Sequence, residues 1–326
     1  MSPQLPDIDD LRAAAARLGG VAIRTPLLEN PEINRLLGGR LLLKAENLQV
    51  AGSFKFRGAY NRIRQIDRGK QPGGVLAWSS GNHGQGVATA ARMLGFPALI
   101  VMPSDAPKIK VDNVRKLGAE IVFYDRARDI REEIGQRLAD ERGAVIVPPF
   151  DDRHIIAGQG TVGLEVATQA AEMGARLDVL AVPCGGGGLT AGCALALREV
   201  SPRTEIIAVE PQGFDDTARS LAEGKQMRNS LTTGSICDAL LTPEPGALTF
   251  AINRQMVKAA VDVSDAEICA AMRFAFATLK LVVEPGGAAA LAAVLAKKID
   301  IEGRTVAVVL SGGNVDASVF CSCLNG

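Results

Sequence analysis

The chain has 326 residues, enough for about two ordinary domains, and its 36 Lys plus Arg balance 36 Asp plus Glu. Zero net charge removes any general attraction to nucleic acid or to an anionic membrane, and 47% apolar with 22% charged residues supplies a core and not disorder. No apolar run reaches the roughly 18 residues of a membrane helix, and the opening MSPQLPDIDD carries no apolar leader, so a cytoplasmic enzyme or binding protein is expected.

In chain order, residues 75–79 read as a strand, 84–94 as a helix, 97–102 as a strand, 108–117 as a helix, 120–124 as a strand, 129–142 as a helix and 144–147 as a strand. Strands separated by helices of this length predict parallel βαβ units. Residues 74–148 are therefore expected to form a small doubly wound domain, with 1–73 and 149–326 forming a larger, discontinuous one. The alternation continues with a helix at 161–173, a strand at 178–183, a helix at 189–200 and a strand at 204–210. Ser264 and Glu267 form a capping-box pattern ahead of a long helix. An Ala-rich helix at 286–298 and a strand at 304–310 complete the pattern, and residues 224–245 read as loop. Three strand ends run into loops, at 79–83, 185–188 and 311–314, where open parallel sheets carry their chemistry.

The six cysteines are Cys184, Cys193, Cys237, Cys269, Cys321 and Cys323, with no CxxC spacing, and the only histidines are His83 and His154. A zinc cage and a disulfide framework are not expected; buried reduced thiols are.

Four consecutive glycines, Gly185, Gly186, Gly187 and Gly188, stand between a strand and a helix. They let successive N–H groups converge at a helix N-terminus, a cradle for phosphate. No Gly-Lys-Ser/Thr follows, which excludes a nucleotide P-loop. Gly186, Gly188 and Ala191 also fit G-x-G-x-x-A, with Glu210 ending the next strand, so this segment alone is compatible with an NAD-linked dehydrogenase. Lys55 lies in Gly-Ser-Phe-Lys-Phe-Arg-Gly, among small and aromatic residues. A partly desolvated lysine is an amine nucleophile able to condense with an aldehyde cofactor. Amine, phosphate cradle and a ring-nitrogen partner together are what pyridoxal phosphate requires.

The segment from Ser53 to Gly58 resembles the cofactor-lysine motif of the threonine dehydratase and serine racemase family, fold-type-II pyridoxal-phosphate enzymes similar to the tryptophan synthase β chain. The likeness extends to Ser79-Ser-Gly-Asn-His-Gly-Gln85, Ala157-Gly-Gln-Gly-Thr161, the glycine quartet and Ser311-Gly-Gly-Asn314, in the family's order and over nearly the whole chain. It implies an α/β fold of two doubly wound open-sheet domains with the cofactor in the cleft between them, and a homodimer. Lys55 would hold the cofactor, Phe54 would pack on its ring, and Asn82 would bond the ring hydroxyl. Gly185, Gly186, Gly187, Gly188 and Leu189 would hold the phosphate, and Ser311 would face the ring nitrogen. Ser79, Ser80, Gly81, Asn82 and His83 would receive the substrate carboxylate through backbone N–H groups and the Ser79 hydroxyl; the His83 ring itself reads as a loop histidine. Glu210, Asp216 and the Phe214 carbonyl resemble the family's divalent-cation loop and offer hard oxygens for Mg²⁺ or Ca²⁺.

Two positions bear on the reaction. Ser80 would stand opposite Lys55 across the cofactor plane, where its hydroxyl could move a Cα proton; serine racemases and 3-hydroxyaspartate dehydratases carry this serine, and many threonine dehydratases carry alanine. Phe150 matches the threonine-dehydratase-like members, where serine racemase has asparagine. Ala239 departs from the family's usual Asp-Gly, and Glu284 matches a family motif. The expected activity is dehydration of a β-hydroxy α-amino acid such as threonine, serine or 3-hydroxyaspartate to a 2-oxo acid and ammonia. Alternatives are a serine or aspartate-type racemase, a β-replacing synthase and a non-catalytic amino-acid sensor. The sequence runs only a short way past Asn314, so a regulatory domain of the biosynthetic threonine dehydratase kind is not expected.

Overall fold

The computed structural model of the chain describes residues 4–79, 81–106, 108–125 and 128–325. The first stretch holds α1 (Ile8–Leu18), β1 (Leu27–Glu29), α2 (Pro31–Leu37), β2 (Arg40–Lys44) and α3 (Lys55–Ile63). Next come β3 (Val75–Trp78), α4 (Asn82–Leu94), β4 (Ala98–Pro103), α5 (Lys108–Lys116), β5 (Glu120–Tyr124), α6 (Arg131–Arg142) and β6 (Val145–Ile146). Then follow α7 (Arg153–Glu172), β7 (Val179–Pro183), α8 (Gly188–Val200), β8 (Glu205–Pro211), α9 (Asp216–Glu223), α10 (Ala247–Met256) and β9 (Val257–Val263). The chain closes with α11 (Asp265–Phe274), α12 (Pro285–Leu295), β10 (Thr305–Val309) and α13 (Ala317–Asn325).

Two sheets organise these elements. A six-stranded sheet has the order β1-β2-β10-β7-β8-β9, parallel except for the β1–β2 pair. A four-stranded parallel sheet has the order β5-β4-β3-β6. Non-sequential strand orders with helical crossovers make this a doubly wound α/β fold. Central β7 is buried throughout and reads Val-Leu-Ala-Val-Pro, as a strand covered on both faces should. Alanine-rich α12 is buried along Pro285 to Val294 and packs into the largest apolar cluster. Among the described residues no helix is long and apolar enough to cross a membrane.

Two sequence expectations are corrected. Helix α7 starts at Arg153 and not near 161, because Asp152 caps it by accepting from the His154 and Ile155 N–H groups. Its glycines are contact points and not breaks: a Cβ on Gly158 would lie 2.6 Å from the Arg57 carbonyl oxygen, and one on Gly160 2.8 Å from that of Gly192. The second correction concerns the thiols. Cys184, Cys193 and Cys237 are buried and free as expected, but Cys321 is exposed and Cys269 is joined to Cys323 by a disulfide. Packing of α13 beside α11 brings their Cα atoms to 4.7 Å, a proximity that spacing in the sequence does not reveal.

Candidate functional site

Lys55 opens α3, and the backbone on both sides of it is fixed. The Phe54 N–H donates to the Ser311 carbonyl at 3.1 Å, and Ser53 pairs with Gly312 in an isolated bridge. Two residues on, fully buried Arg57 holds Glu46 through two bonds of 2.8 Å and Glu165 through bonds of 2.7 and 2.9 Å. The lysine is thus aimed by a rigid support. Its Nζ donates to the Pro149 carbonyl at 2.8 Å and lies 5.2 Å from the Phe54 ring centroid. Burial lowers the amine to about 8, against an opposing pull from the Glu284 carboxylate. The neutral amine is therefore present near neutrality, as nucleophilic or general-base chemistry needs.

The glycine quartet bridges the end of β7 and the start of α8, and each of these glycines faces a neighbour that excludes a side chain. A Cβ on Gly186 would lie 2.3–2.4 Å from three Phe150 ring carbons, and one on Gly188 would lie 2.5 Å from Gln159 Oε1. Gly187, at φ +87°, occupies the left-handed region. The carbonyl of Gly186 accepts from the Gly246 N–H and the Thr249 hydroxyl, and that of Gly187 accepts from Asn253 Nδ2. The first N–H groups of α8, Leu189 among them, have no helical partner by construction, so this end is a cradle for an anion. Pro149 and Phe150, adjacent in sequence, join the two halves: one receives the Lys55 amine and the other lies against Gly186.

The loop after β3 enters from the other sheet. Ser79 Oγ accepts from the Gly81 N–H at 3.2 Å, and α4 begins at Asn82 with no side chain capping it. Asn82 Nδ2 donates to Glu284 Oε1 at 2.5 Å, and Asn82 Oδ1 accepts from Asn314 Nδ2 at 2.8 Å. Ser311, 5% exposed, opens the loop that follows β10 of the six-stranded sheet. His83 Nε2 is 2.8 Å from the Val147 carbonyl, and burial pushes the imidazole down to about 3, so it is a neutral packed histidine. Ser80 lies outside the described residues. Lys110 of α5 reaches Asp238 at 2.8 Å and fastens one sheet to the other beside Ala239. A Cβ on Gly286 would lie 3.4 Å from the Ala239 methyl, which places Ala239 against this wall.

A pyridoxal-phosphate group suits these residues. Ser53 Oγ, both ends of the Gln159 carboxamide and Thr190 Oγ1 are buried beside the lysine or the glycine loop without a hydrogen-bond partner. Orphaned polar atoms of this kind are rare and point to a missing polar ligand or water.

The acidic loop is arranged differently from the ring site. Glu210 accepts from the Thr217 and Ala218 N–H groups at 2.8 and 2.9 Å and so closes the N-terminus of α9. Burial and then the neighbouring Asp216 raise Glu210 to about 8; burial raises Asp216 to about 7. Asp216 Oδ1 accepts from Asn229 at 2.6 Å, and its Oδ2 is buried without a partner. Among the described residues no group of three or more His, Cys, Asp or Glu could hold a metal ion.

Sequence reasoning left Glu284, Phe150 and Gln159 without defined roles. Their placement depends on contacts between distant segments; the Glu-Pro-Gly and Gly-Gln-Gly patterns marked Glu284 and Gln159, and the family likeness marked Phe150.

Residues 20–312 match the family model described as pyridoxal-phosphate dependent enzyme. An L-threo-3-hydroxyaspartate ammonia-lyase from Pseudomonas sp is 43% identical over 323 residues, 99% of this chain and 100% of that protein. A serine racemase from Schizosaccharomyces pombe is 37% identical over 98% of both chains. Among solved structures, a T.th. threonine deaminase superposes with a TM-score of 0.90 at 45% identity, covering 95% of this chain and 99% of that one.

Proposed function

The chain belongs to the pyridoxal-phosphate dependent enzyme family, and from that premise we propose that it dehydrates a β-hydroxy α-amino acid, such as threonine, serine or 3-hydroxyaspartate, to a 2-oxo acid and ammonia. The observation that carries the reading is the Lys55 amine, lowered to about 8 and joined through Pro149 and Phe150 to the glycine cradle. The names of the ammonia-lyase and deaminase relatives support the substrate class.

Pyridoxal phosphate, when bound, supplies an aldehyde that exchanges amines and a ring that accepts charge from Cα. Gly185, Gly186, Gly187, Gly188 and Leu189 hold its phosphate; Phe54, Asn82 and Ser311 border its ring. Ser311 contributes a neutral hydroxyl and fixes no charge there. Ser79, Gly81, Asn82 and His83, at the positive end of α4, take the substrate carboxylate through N–H groups. Lys55, whose lowered pKa leaves a fraction of the amine unprotonated near physiological pH, removes the Cα proton. A substrate panel scored for 2-oxo acid and ammonia tests the reading. Release from at least one β-hydroxy amino acid is expected; a cofactor-loaded protein that releases neither from any of them overturns it.

Racemisation is the second reading, favoured by the serine racemase relatives. It assigns Ser80 as the acid and base on the face opposite Lys55. Ser80→Ala should then cut racemisation far more than dehydration, and equal losses oppose the role. The proposal also includes Mg²⁺ or Ca²⁺ on Glu210, Asp216 and the Phe214 carbonyl, supported by the orphaned Asp216 Oδ2. A chelator should lower the melting temperature and Mg²⁺ restore it; an unchanged melting temperature opposes the cation site. A homodimer in the cytoplasm completes the proposal, and light scattering tests the dimer.

A further inference from the structure

The last helix is fastened to the body along one side. Cys323 is its one buried side chain among the described residues and is joined to Cys269 of α11. Arg273 Nη1 donates to the Cys323 carbonyl, and the Phe276 and Phe320 rings meet edge to face with centroids 5.5 Å apart. The disulfide is not sheltered. It borders an open cavity of about 570 Å³, lined by both cysteines together with Asp265, Arg273, Ser318 and Ser322.

The cavity carries one charge of each sign on the same helix. Asp265 accepts from the Ser235 hydroxyl at 2.6 Å and the Ile236 N–H at 3.2 Å, and is thereby fixed in place. Arg273 is anchored at the Cys323 backbone. A small thiol that carries both an ammonium and a carboxylate matches this pair, with its sulfur directed to the bond between them.

We propose that the Cys269–Cys323 disulfide is an exchange site for a small zwitterionic thiol of the glutathione class. The thiolate attacks Sγ of Cys269, the more exposed of the two cysteines. A mixed disulfide forms at Cys269 as the protein S–S bond breaks, and Cys323 leaves as a thiolate beside the Arg273 charge, which favours its departure. A second thiolate attacks the small molecule's sulfur, releases Cys269 as a thiolate and forms the dimeric small disulfide. In sum two thiols are oxidised and one protein disulfide is reduced. Cys321 takes no part: two residues from Cys323 on a helix, it points roughly 200° away and is exposed. Once the bond is open, α13 is held by the Arg273 hydrogen bond, the ring contact and the packing of Phe320 against the apolar core, without a covalent tether.

The holoenzyme is incubated with reduced glutathione, alkylated without denaturant and mapped by mass spectrometry, while carboxypeptidase trimming of the C-terminus is followed in parallel. Without thiol, Cys321 should alkylate and the other two cysteines should be recovered joined. With thiol, a glutathione adduct should appear on Cys269 and trimming should quicken about tenfold, as for a helix end that has lost its tether. Cys269→Ser should trim fast with or without thiol, and Cys321→Ser should exchange as the wild type does. Alkylation of Cys269 and Cys323 before any thiol is added overturns the proposal. So does a pair that stays joined until denaturant is present, or trimming that ignores the thiol. The wild-type measurements decide the matter even if Cys269→Ser fails to fold.

Discussion

Asn82 and Glu284 stand 202 residues apart in sequence and share a 2.5 Å hydrogen bond, the Asn82 amide donating to the Glu284 carboxyl. The bond ties the first residue of α4, which follows a strand of the four-stranded sheet, to the N-cap of α12, which packs on the six-stranded one. It sits within reach of the Lys55 charge.

The pH dependence of stability follows from this pair. Burial, with the nearby Asp238 charge, raises Glu284 to about 8, although Asn82, Lys110 and Lys55 pull the other way. Between about pH 5 and 8 an unfolded glutamate has lost its proton while the folded one keeps it. The folded state therefore binds more protons, and this group's contribution to stability falls as pH rises. Glu284→Gln removes the titration and should flatten the fall. Melting temperatures of the two apoproteins across that window check this; parallel profiles would count against it.

Gly186→Ala should weaken cofactor binding. Its new methyl would lie 2.3–2.4 Å from the Phe150 ring, so either the ring or the loop must shift. Overpacking of this kind costs about 1–3 kcal/mol, and a displaced loop loses its phosphate geometry. Fluorescence titration of the apoprotein with pyridoxal phosphate should show at least about tenfold weaker binding, and wild-type affinity would show that the loop is not the cradle.

Arg57→Leu should be severely destabilising. It removes the partner of Glu46, which is fully buried, and of Glu165. Breaking a buried ion pair from one side costs about 3–5 kcal/mol. By contrast Arg24→Ala, which breaks a pair with both side chains about half exposed, should cost under about 1 kcal/mol. Urea unfolding of the two variants measures the contrast, and similar midpoints would refute it.

The elements with strong local periodicity were legible in the sequence. Strand β5 has the expected bounds, 120–124, and β7 begins one residue from its expected start. Ser264 and Glu267 form the capping box their spacing signals. The first 73 residues were opaque because short strands such as β1 and β2 gain their meaning only by pairing with each other and with β10. At the site, the lysine segment and the glycine quartet could be read because one chain segment holds each chemical requirement. The Glu284–Asn82 bond, the Phe150 ring over Gly186 and the disulfide could not, since each joins segments brought together only by folding. The dinucleotide spacing at Gly186, Gly188 and Ala191 was a false lead; the acidic residue such a fold would aim at a ribose, Glu210, closes α9 instead.

The most direct measurement is borohydride reduction of the holoenzyme followed by peptide mapping. The cofactor should be found fixed to the Lys55 peptide alone, with Lys55→Ala unable to retain it. Label on another lysine, or none in active protein, would contradict the assignment.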